Sequence, residues 1–293
     1  MRCALCHEER SLHASHIVPA FVFRWMKETS GTGNLRNSLN PNVRVQDGLK
    51  VPLLCGECEQ TFSDWERRFA TTIFHPYRSD QLTPRRYTEW CLKFCVSISW
   101  RVLTYAVMSS SLDDLSDAQK LQVDAALDAW REFLLGRRRH PGMFEQHLLP
   151  FSEIESTNIP GLPPNFNRFL ARGTHMDFMH SDSGFMSTFV KMGPFMLFGF
   201  IAKPMDKWVG TRVAVSDGSI GPRDYQLPPS LFEYLKRKAK ESGDVLASLS
   251  DNQKMKIQDS IVKNAEKIRG SELMRAISAD VAMFGEQALK GSV

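Results

Sequence analysis

The segment Leu54-Cys55-Gly56-Glu57-Cys58-Glu59 decides the fold of the N-terminal part of the chain, because its cysteine spacing repeats that of Cys3-Ala4-Leu5-Cys6. Two residues between paired cysteines let both sulfurs reach one ion at about 2.3 Å. One such pair is a weak signal, whereas two pairs supply a complete tetrahedral shell. We predict a structural Zn²⁺ held by Cys3, Cys6, Cys55 and Cys58. A redox pair, unrelated thiols and replacement of one ligand by His7 are the alternatives.

The composition is that of a globular protein with a sizeable core. The chain has 293 residues, of which 42% are hydrophobic and 24% charged, and this length suits one large domain or two ordinary ones. The opening Met1-Arg2-Cys3 has no apolar signal segment. The most apolar stretch, Phe195 to Ile201, is too short for a bilayer, which takes about 20 residues. We therefore expect a cytoplasmic protein without a membrane partner, where reducing conditions favour cysteines as metal ligands.

Positive charge is concentrated in the part of the chain that contains the cysteine pairs. The net charge is +4. Residues 1–110 hold 14 Lys/Arg and 10 Asp/Glu, whereas the remainder holds 23 of each. A basic surplus beside a predicted zinc site is compatible with binding to phosphate groups. A chance surplus of four charges is the alternative.

Hydrophobic periodicity predicts helices in the first half of the chain. Apolar residues recur at three- and four-residue steps from Glu59 to about Phe74, and His75-Pro76-Tyr77 is expected to break that helix. A second helix is predicted from about Pro84 to Tyr105. Its apolar stripe carries Cys91 and Cys95, which are expected to be buried core thiols and not metal ligands.

Later segments carry helix-start and strand signals. Ser116-Asp-Ala-Gln119 and Ser230-Leu-Phe-Glu233 have the spacing of capping boxes, which predicts a helix after each serine. Short runs rich in aromatic and β-branched residues predict strands. These runs are Met176 to Met179, Phe185 to Val190, Phe195 to Ile201 and Trp208 to Val215.

A histidine motif lies between the cysteine pairs, at Ser15-His16-Ile17-Val18-Pro19. Together with Cys3-Ala-Leu-Cys6 and Leu54-Cys55-Gly-Glu-Cys58-Glu59, it resembles the HNH nuclease family in the order of the motifs and in their local sequence. The resemblance covers about residues 3–70, roughly a quarter of the chain. It implies the ββα-metal, treble-clef fold and hydrolysis of phosphodiester bonds in nucleic acid with Mg²⁺ or Mn²⁺ as a second, catalytic cation.

The resemblance assigns roles to residues of this chain. His16 takes the position of the general base and Glu59 that of a ligand to the catalytic cation. The chain departs from the family pattern at Ser15, where the family often has Asp, and near Lys50, where it has Asn. Residues that supply further oxygen or imidazole groups nearby are His13, Asp64 and Glu66.

Basic residues in or beside the motif are candidate phosphate contacts, with exposed surface charge as the alternative. These residues are Arg44, Lys50, Arg67 and Arg68. The expected partner is nucleic acid, DNA rather than RNA, with a protein partner or a homo-oligomer as further expectations. By analogy, zinc modules of this kind joined to an unfamiliar second domain are typical of phage-defence or toxin components.

The expected fold is α+β, with an N-terminal treble-clef zinc module, a helical segment and a C-terminal region of strands and helices. The corresponding domains are 1–80, 81–150 and 151–293. The main competing interpretation is a non-catalytic zinc-stabilised module that binds nucleic acid or protein. In a third one, the C-terminal region is the functional core, although it has no nucleophile motif, phosphate loop or dinucleotide fingerprint.

Overall fold

The computed structural model describes residues 1–37, 40–182 and 184–289. The chain mixes helices and strands, so the predicted α+β class is confirmed at that level. The elements of the first half are β1 (Leu12–His16), α1 (Ala20–Glu28), β2 (Leu35–Arg36), β3 (Arg44–Val45), β4 (Lys50–Cys55), α2 (Gly56–Phe69), a π-helical turn (Ala70–Phe74), α3 (His75–Ser79), β5 (Arg85–Tyr87), α4 (Trp90–Met108) and α5 (Asp117–Leu134). Those of the second half are β6 (Gln146–Pro150), α6 (Phe166–Arg172), β7 (Thr174–His180), β8 (Met186–Met192), β9 (Phe195–Ala202), β10 (Gly218–Ile220), α7 (Pro229–Ala247), α8 (Asp251–Lys263), α9 (Ala265–Arg269), α10 (Glu272–Phe284) and a 3-10 turn (Gly285–Leu289).

These elements form two compact units, each made of three separate stretches of chain. Unit 1 comprises Met1–Pro19, Leu49–Pro150 and Thr174–Leu227. Unit 2 comprises Ala20–Gly48, Phe151–Gly173 and Pro228–Val293. The predicted domains 1–80, 81–150 and 151–293 follow the chain in order, whereas the units do not.

An antiparallel pair of strands and a helix build the N-terminal part of unit 1, and we call the pair of β1 and β4 the hairpin although α1, β2 and β3 lie between them in the sequence. β1 and β4 pair antiparallel, from Leu12 opposite Cys55 to His16 opposite Lys50. α2 begins directly after β4, at Gly56, and packs against both strands. The register shifts between His13 and Ala14, so the cysteine end and the histidine end of the hairpin lie on either side of this irregularity.

An antiparallel sheet of order β6-β9-β8-β7 forms the other half of unit 1. Its strands are largely buried, and Phe189 and Phe198 face each other across β8 and β9 with no exposed surface. α4 packs on this sheet, and Ser99 on α4 donates to Gln146 Oε1 at 2.7 Å. A Cβ atom on Gly199 would lie 2.5 Å from Ser99 Oγ, so the absence of a side chain at Gly199 permits this close approach.

α4 is the central helix of unit 1, because α2, α5 and the sheet all pack against it. Among the described residues it is the one helix that is long and apolar enough to cross a membrane by length and composition. However, 72% of its apolar window is buried inside the protein. Cys91 and Cys95 lie on this helix with no exposed surface, as expected of core thiols.

Unit 2 joins helices that are far apart in the sequence. Trp25 on α1 donates to Glu272 Oε2 on α10 at 3.1 Å. Asp280 on α10 is fully buried and accepts the backbone N–H of Asn167 at 2.7 Å and Arg168 Nε at 2.7 Å. Such long-range contacts explain why residues 20–48 group with the later helices and not with their sequence neighbours.

The predicted helix break at His75-Pro76-Tyr77 is wrong. α2 continues through the π-helical turn into α3, which ends at Ser79. Pro76 is the second residue of α3 and directly follows the π-helical turn, so the helix accommodates a residue that has no backbone N–H to donate. The predicted start of the next helix at Pro84 is also wrong, because Arg85–Tyr87 pairs with β10 and α4 begins at Trp90.

Two further predictions need correction. The predicted strand Trp208 to Val215 forms only isolated bridges, which join Arg212 to His147 and Val209 to Gln226. The predicted capping box at Ser230 is also wrong, because α7 already begins at Pro229 after an N-cap residue without a side-chain cap. The fixed φ angle of proline suits this first helical position.

Candidate functional site

The four predicted zinc ligands lie together at the cysteine end of the hairpin. Cys3 and Cys6 precede β1, whereas Cys55 ends β4 and Cys58 lies in the first turn of α2. The four sulfur atoms all lie within 4.8 Å of one another. Within the described ranges they are the one group of three or more His, Cys, Asp or Glu side chains close enough to share an ion.

The geometry of the four-cysteine cluster fits a tetrahedral zinc site. With Zn–S bonds of about 2.3 Å, the edges of a sulfur tetrahedron are about 3.8 Å long. Cys6 Sγ lies 3.8 Å from Cys55 Sγ, and all four cysteines are free thiols. This separation is far beyond the roughly 2 Å of a disulfide bond. The residues present therefore suit a metal such as zinc.

The backbone around Cys3 supports the cluster. The N–H of Cys55 donates to Cys3 Sγ at 3.3 Å, and the N–H of His7 donates to the carbonyl O of Cys3 at 3.0 Å. His7 has a φ of 66°, a left-handed conformation that turns the chain back after the second cysteine. His7 is not in the metal-binding group, so the alternative in which it replaces a ligand has no support.

The thiols influence one another strongly. Burial by itself raises the pKa of Cys3, but hydrogen bonds from the backbone at Cys6, Cys55 and Leu5 lower it to about 7. Burial, a hydrogen bond with Cys55 and the charges of the neighbouring thiols raise the pKa of Cys58. A divalent cation bound among the sulfurs removes this mutual repulsion and favours the thiolate form.

The histidine motif lies at the opposite end of the hairpin. His16 is the last residue of β1, is half-buried and faces Lys50 across the strand pair. Cross-strand neighbours of this kind have Cβ atoms about 4.5–5.5 Å apart. Lys50 is exposed. The structure therefore brings a basic side chain next to the predicted general base.

Ser15 and Glu59 meet between the hairpin and α2. Ser15 is completely buried, and its hydroxyl donates to Glu59 Oε2 at 2.6 Å. Glu59 itself is half-buried. His16 is the next residue of β1, and its Nε2 atom is buried. We call Ser15, His16, Lys50 and Glu59 the hairpin site.

The other candidate ligands do not join the hairpin site. Asp64 pairs with Arg67 at 2.9 Å, and Glu66 pairs with the buried Arg101 at 2.7 Å. His13 is exposed, and its Nε2 lies beside the start of α2, 3.3 Å from where a Cβ of Gly56 would stand. Among the described side chains, Glu59 is therefore the one carboxylate that reaches Ser15.

The predicted phosphate contacts are dispersed. Lys50 belongs to the hairpin site, and Arg67 and Arg68 are exposed on the last turn of α2. Arg68 lines an open cavity of about 320 Å³ beside α2 and the start of α4. The other residues that line it are Thr61, Asp64, Trp65, Glu89, Trp90 and Lys93. Arg44 lies in β3, which belongs to unit 2.

Sequence reasoning missed Arg101, whose guanidinium contacts both the end of β1 and α2. A charged residue inside the otherwise apolar stripe of α4 was the signal that pointed to it, because a buried arginine needs fixed partners. Comparison with protein-family models, curated proteins and solved structures finds no match to this chain.

Proposed function

We propose that the protein is a metal-dependent nuclease of HNH type that hydrolyses phosphodiester bonds in nucleic acid. The order of its N-terminal parts supports this proposal: a cysteine pair, a hairpin, a second cysteine pair and a helix. A treble-clef, ββα-metal module stabilised by zinc is expected to have this order of elements. The contact between Ser15 and Glu59 at 2.6 Å carries the proposal, because it joins the residue before His16 to the helix residue after the last cysteine.

His16 would act as the general base. Imidazole is the side chain that exchanges protons near neutral pH, so it is suited to take a proton from the attacking water. It is the last residue of β1 and is half-buried, with its Nε2 atom buried, so a phosphodiester would have to displace neighbouring side chains to reach that nitrogen. A hard divalent cation, when bound, would supply charge stabilisation at the scissile phosphate and the leaving oxygen.

Glu59 would hold that cation together with the substrate. Mg²⁺ keeps several waters and usually binds through one or two carboxylates plus substrate phosphates. A site with one carboxylate therefore suits an ion that arrives with nucleic acid. The Ser15 hydroxyl, which is a weaker ligand than the usual Asp, would orient Glu59.

Lys50 would bind the phosphate directly. It lies opposite His16 in the strand register and is exposed. A phosphate bound by this ammonium group would lie beside the imidazole, at the end of the hairpin. This arrangement would replace part of the charge stabilisation that a second metal ligand provides in the family. DNA is the expected substrate, and a role in phage defence or toxicity in the cytoplasm follows by analogy alone.

A non-catalytic zinc module is the second candidate function. Two observations favour it: the Glu59 carboxylate is already engaged by the Ser15 hydroxyl, and the Nε2 atom of His16 is buried. In this alternative, the hairpin end binds nucleic acid or a partner protein through Lys50 without cutting.

Cleavage assays separate the two candidates. Purified protein is incubated with plasmid DNA, single-stranded DNA and RNA in Mg²⁺ or Mn²⁺. The proposal expects cutting that His16→Ala lowers by at least about 100-fold with unchanged zinc content, since a general base contributes about 10²–10⁴-fold. His140→Ala, in an exposed loop after α5, is the matched control. Binding without cutting under all these conditions would select the non-catalytic module.

A further inference from the structure

A buried arginine of the central helix contacts the strand that ends at His16. Arg101 lies on α4 and is 1% exposed. Its Nη1 donates to the carbonyl O of His16 at 2.6 Å, and its Nη2 donates to Glu66 Oε1 at 2.7 Å. Its Nε donates to the carbonyl O of Ser97 at 3.2 Å. Each of the three guanidinium nitrogens therefore has an acceptor within unit 1.

The cost of burying this charge indicates that the geometry is fixed. A guanidinium removed from water must be paired and hydrogen-bonded, or it destabilises the fold. Arg101 meets this requirement with one carboxylate and two carbonyls, and its cation also lies 5.5 Å from the centre of the Phe62 ring. The planar fork of arginine suits such simultaneous contacts, whereas lysine offers a single point charge.

The two elements that Arg101 joins are those that hold the hairpin site. One contact is with the backbone of His16, so it fixes where β1 ends regardless of the imidazole rotamer. The other is with Glu66, which lies seven residues after Glu59 on α2. Seven residues are close to two helical turns, so Glu66 and Glu59 share a face of α2. The guanidinium of Arg101 thus connects β1, which carries His16, to the face of α2 that carries Glu59.

We propose that Arg101 is a positioning residue for the hairpin site, an inference that rests on the proposed nuclease function. Arg101 sets the distance between the end of β1 and α2, and through it the relative position of His16 and Glu59. It does not touch the reacting atoms. A displacement of about 1 Å at a catalytic group costs on the order of 100-fold in rate.

The test compares Arg101→Lys with Arg85→Lys. Arg85 is a matched control because its Nη2 also bridges backbone carbonyls and a carboxylate: Pro76 O at 3.0 Å, Asp80 O at 2.8 Å and Asp80 Oδ2 at 3.1 Å. None of these contacts involves β1 or α2. Both variants keep the charge and lose the planar guanidinium, although the Arg85 side chain is 19% exposed and that of Arg101 is 1% exposed. Denaturant unfolding of both variants therefore accompanies the comparison.

The expected kinetic result is a split between kcat and KM. Arg101→Lys should lower kcat by about 10- to 100-fold with KM nearly unchanged, because the groups that act in the transition state are misplaced. Arg85→Lys should leave both constants within about twofold of wild type. Glu66→Gln, which keeps an acceptor but removes the charge, should lower kcat in the same direction by less. Equal kcat values for Arg101→Lys and Arg85→Lys would overturn the positioning role.

Amide hydrogen exchange gives a readout that does not require activity. The N–H of Ile17 donates to Leu49 O at 3.1 Å beside the hairpin site, whereas the N–H of Ala4 donates to Leu53 O at 3.0 Å beside the cysteines. Arg101→Lys should speed exchange at Ile17 more than at Ala4, and Arg85→Lys should not. If the wild type cuts nothing, the nuclease proposal fails while this comparison still decides the inference. Unchanged exchange at Ile17 in Arg101→Lys would refute it.

Discussion

The four-cysteine cluster and the hairpin site lie at opposite ends of the same hairpin and differ in how complete they are. At one end, four sulfurs within 4.8 Å of one another supply a full tetrahedral shell from this chain alone. At the other end, one carboxylate meets one hydroxyl at 2.6 Å, and a histidine stands opposite a lysine. Four sulfurs are enough to saturate a tetrahedral ion, whereas one carboxylate is not.

In the proposed function, the cysteine end is structural and the hairpin site is the end that meets the substrate. Structural zinc sites are saturated by protein ligands, whereas catalytic metal sites keep open positions. Both ends belong to the same strand pair and both contact α2, although the register shifts between His13 and Ala14. Substitutions at the hairpin site should therefore leave the four-cysteine cluster intact, and the cysteine substitution should have the greatest effect.

Loss of one cysteine ligand should have the largest effect. Cys55→Ala should remove the zinc and unfold the N-terminal module, because zinc binding to such sites contributes on the order of 10 kcal/mol of folding free energy. Zinc content by elemental analysis and solubility are the measurements. Cys91→Ala, at a buried thiol of α4, is the control and should keep one zinc per chain. Full zinc retention in Cys55→Ala would refute the four-cysteine shell.

Loss of the carboxylate at the other end should spare the fold. Glu59→Gln should reduce cleavage by about 1,000-fold, because metal-ion catalysis contributes several kcal/mol of charge stabilisation. Zinc content and thermal stability should stay near wild type. Glu57→Gln, in the same helical turn and paired with Arg10 at 2.5 Å, controls for loss of a surface carboxylate. Equal rates for the two variants would remove Glu59 from the site.

Acid should weaken unit 1 through protonation of His147. Burial lowers the pKa of His147 to about 4 although Glu145 lies 3.6 Å away. The unfolded chain then binds more protons than the folded chain between about pH 6.5 and pH 4, so stability falls as the pH drops through that window. The free energy of unfolding is expected to decrease by about 3 kcal/mol over this window.

Denaturant unfolding at pH 7 and pH 4 measures this effect, with His147→Gln as the comparison. The variant should show a flatter pH dependence, because its amide does not titrate. Glu145, whose pKa Lys203 and Arg212 hold below its usual range against the effect of burial, loses its stabilisation at still lower pH. If the free energy of unfolding depends on pH equally in wild type and in His147→Gln, the prediction is contradicted. The loss of stability in acid would then come from other groups, including the zinc thiolates.

The smallest effect concerns phosphate binding. Lys50→Ala should weaken nucleic-acid binding by a few-fold and lower the slope of log affinity against log salt by about one, since one phosphate contact releases about one counterion. Binding measured at several salt concentrations gives this slope. Lys120→Ala on α5, whose ammonium bonds to Asp113 O, is the control. An unchanged slope in Lys50→Ala would place the phosphate elsewhere.

Local chemistry made the metal cluster and several helix ends predictable from the sequence. The two cysteine pairs have a fixed spacing, so the cluster of Cys3, Cys6, Cys55 and Cys58 followed from two short motifs. The capping box at Ser116 is confirmed, because Ser116 and Gln119 satisfy each other's backbone groups without help from the rest of the fold. Three of the predicted strands correspond to β7, β8 and β9.

Features that depend on distant partners were not predictable in this way. The strand β5 forms at Arg85–Tyr87 only because Gly218–Ile220 pairs with it. Arg101 reaches His16 across 85 positions of sequence, and no periodicity encodes such a contact. The assignments of His16 and Glu59 as catalytic residues stay predictions, since the contact of Ser15 with Glu59 suits both candidate functions.

A crystal structure with Mn²⁺ and an uncleavable phosphorothioate oligonucleotide tests the central claim most directly. The account predicts an anomalous manganese peak bonded to a Glu59 carboxylate oxygen and to the phosphate, with the His16 imidazole facing the attacked phosphorus. Zinc would occupy the four sulfurs at the other end of the hairpin. An oligonucleotide bound with no manganese at Glu59, and with the Ser15–Glu59 hydrogen bond unchanged, would contradict it.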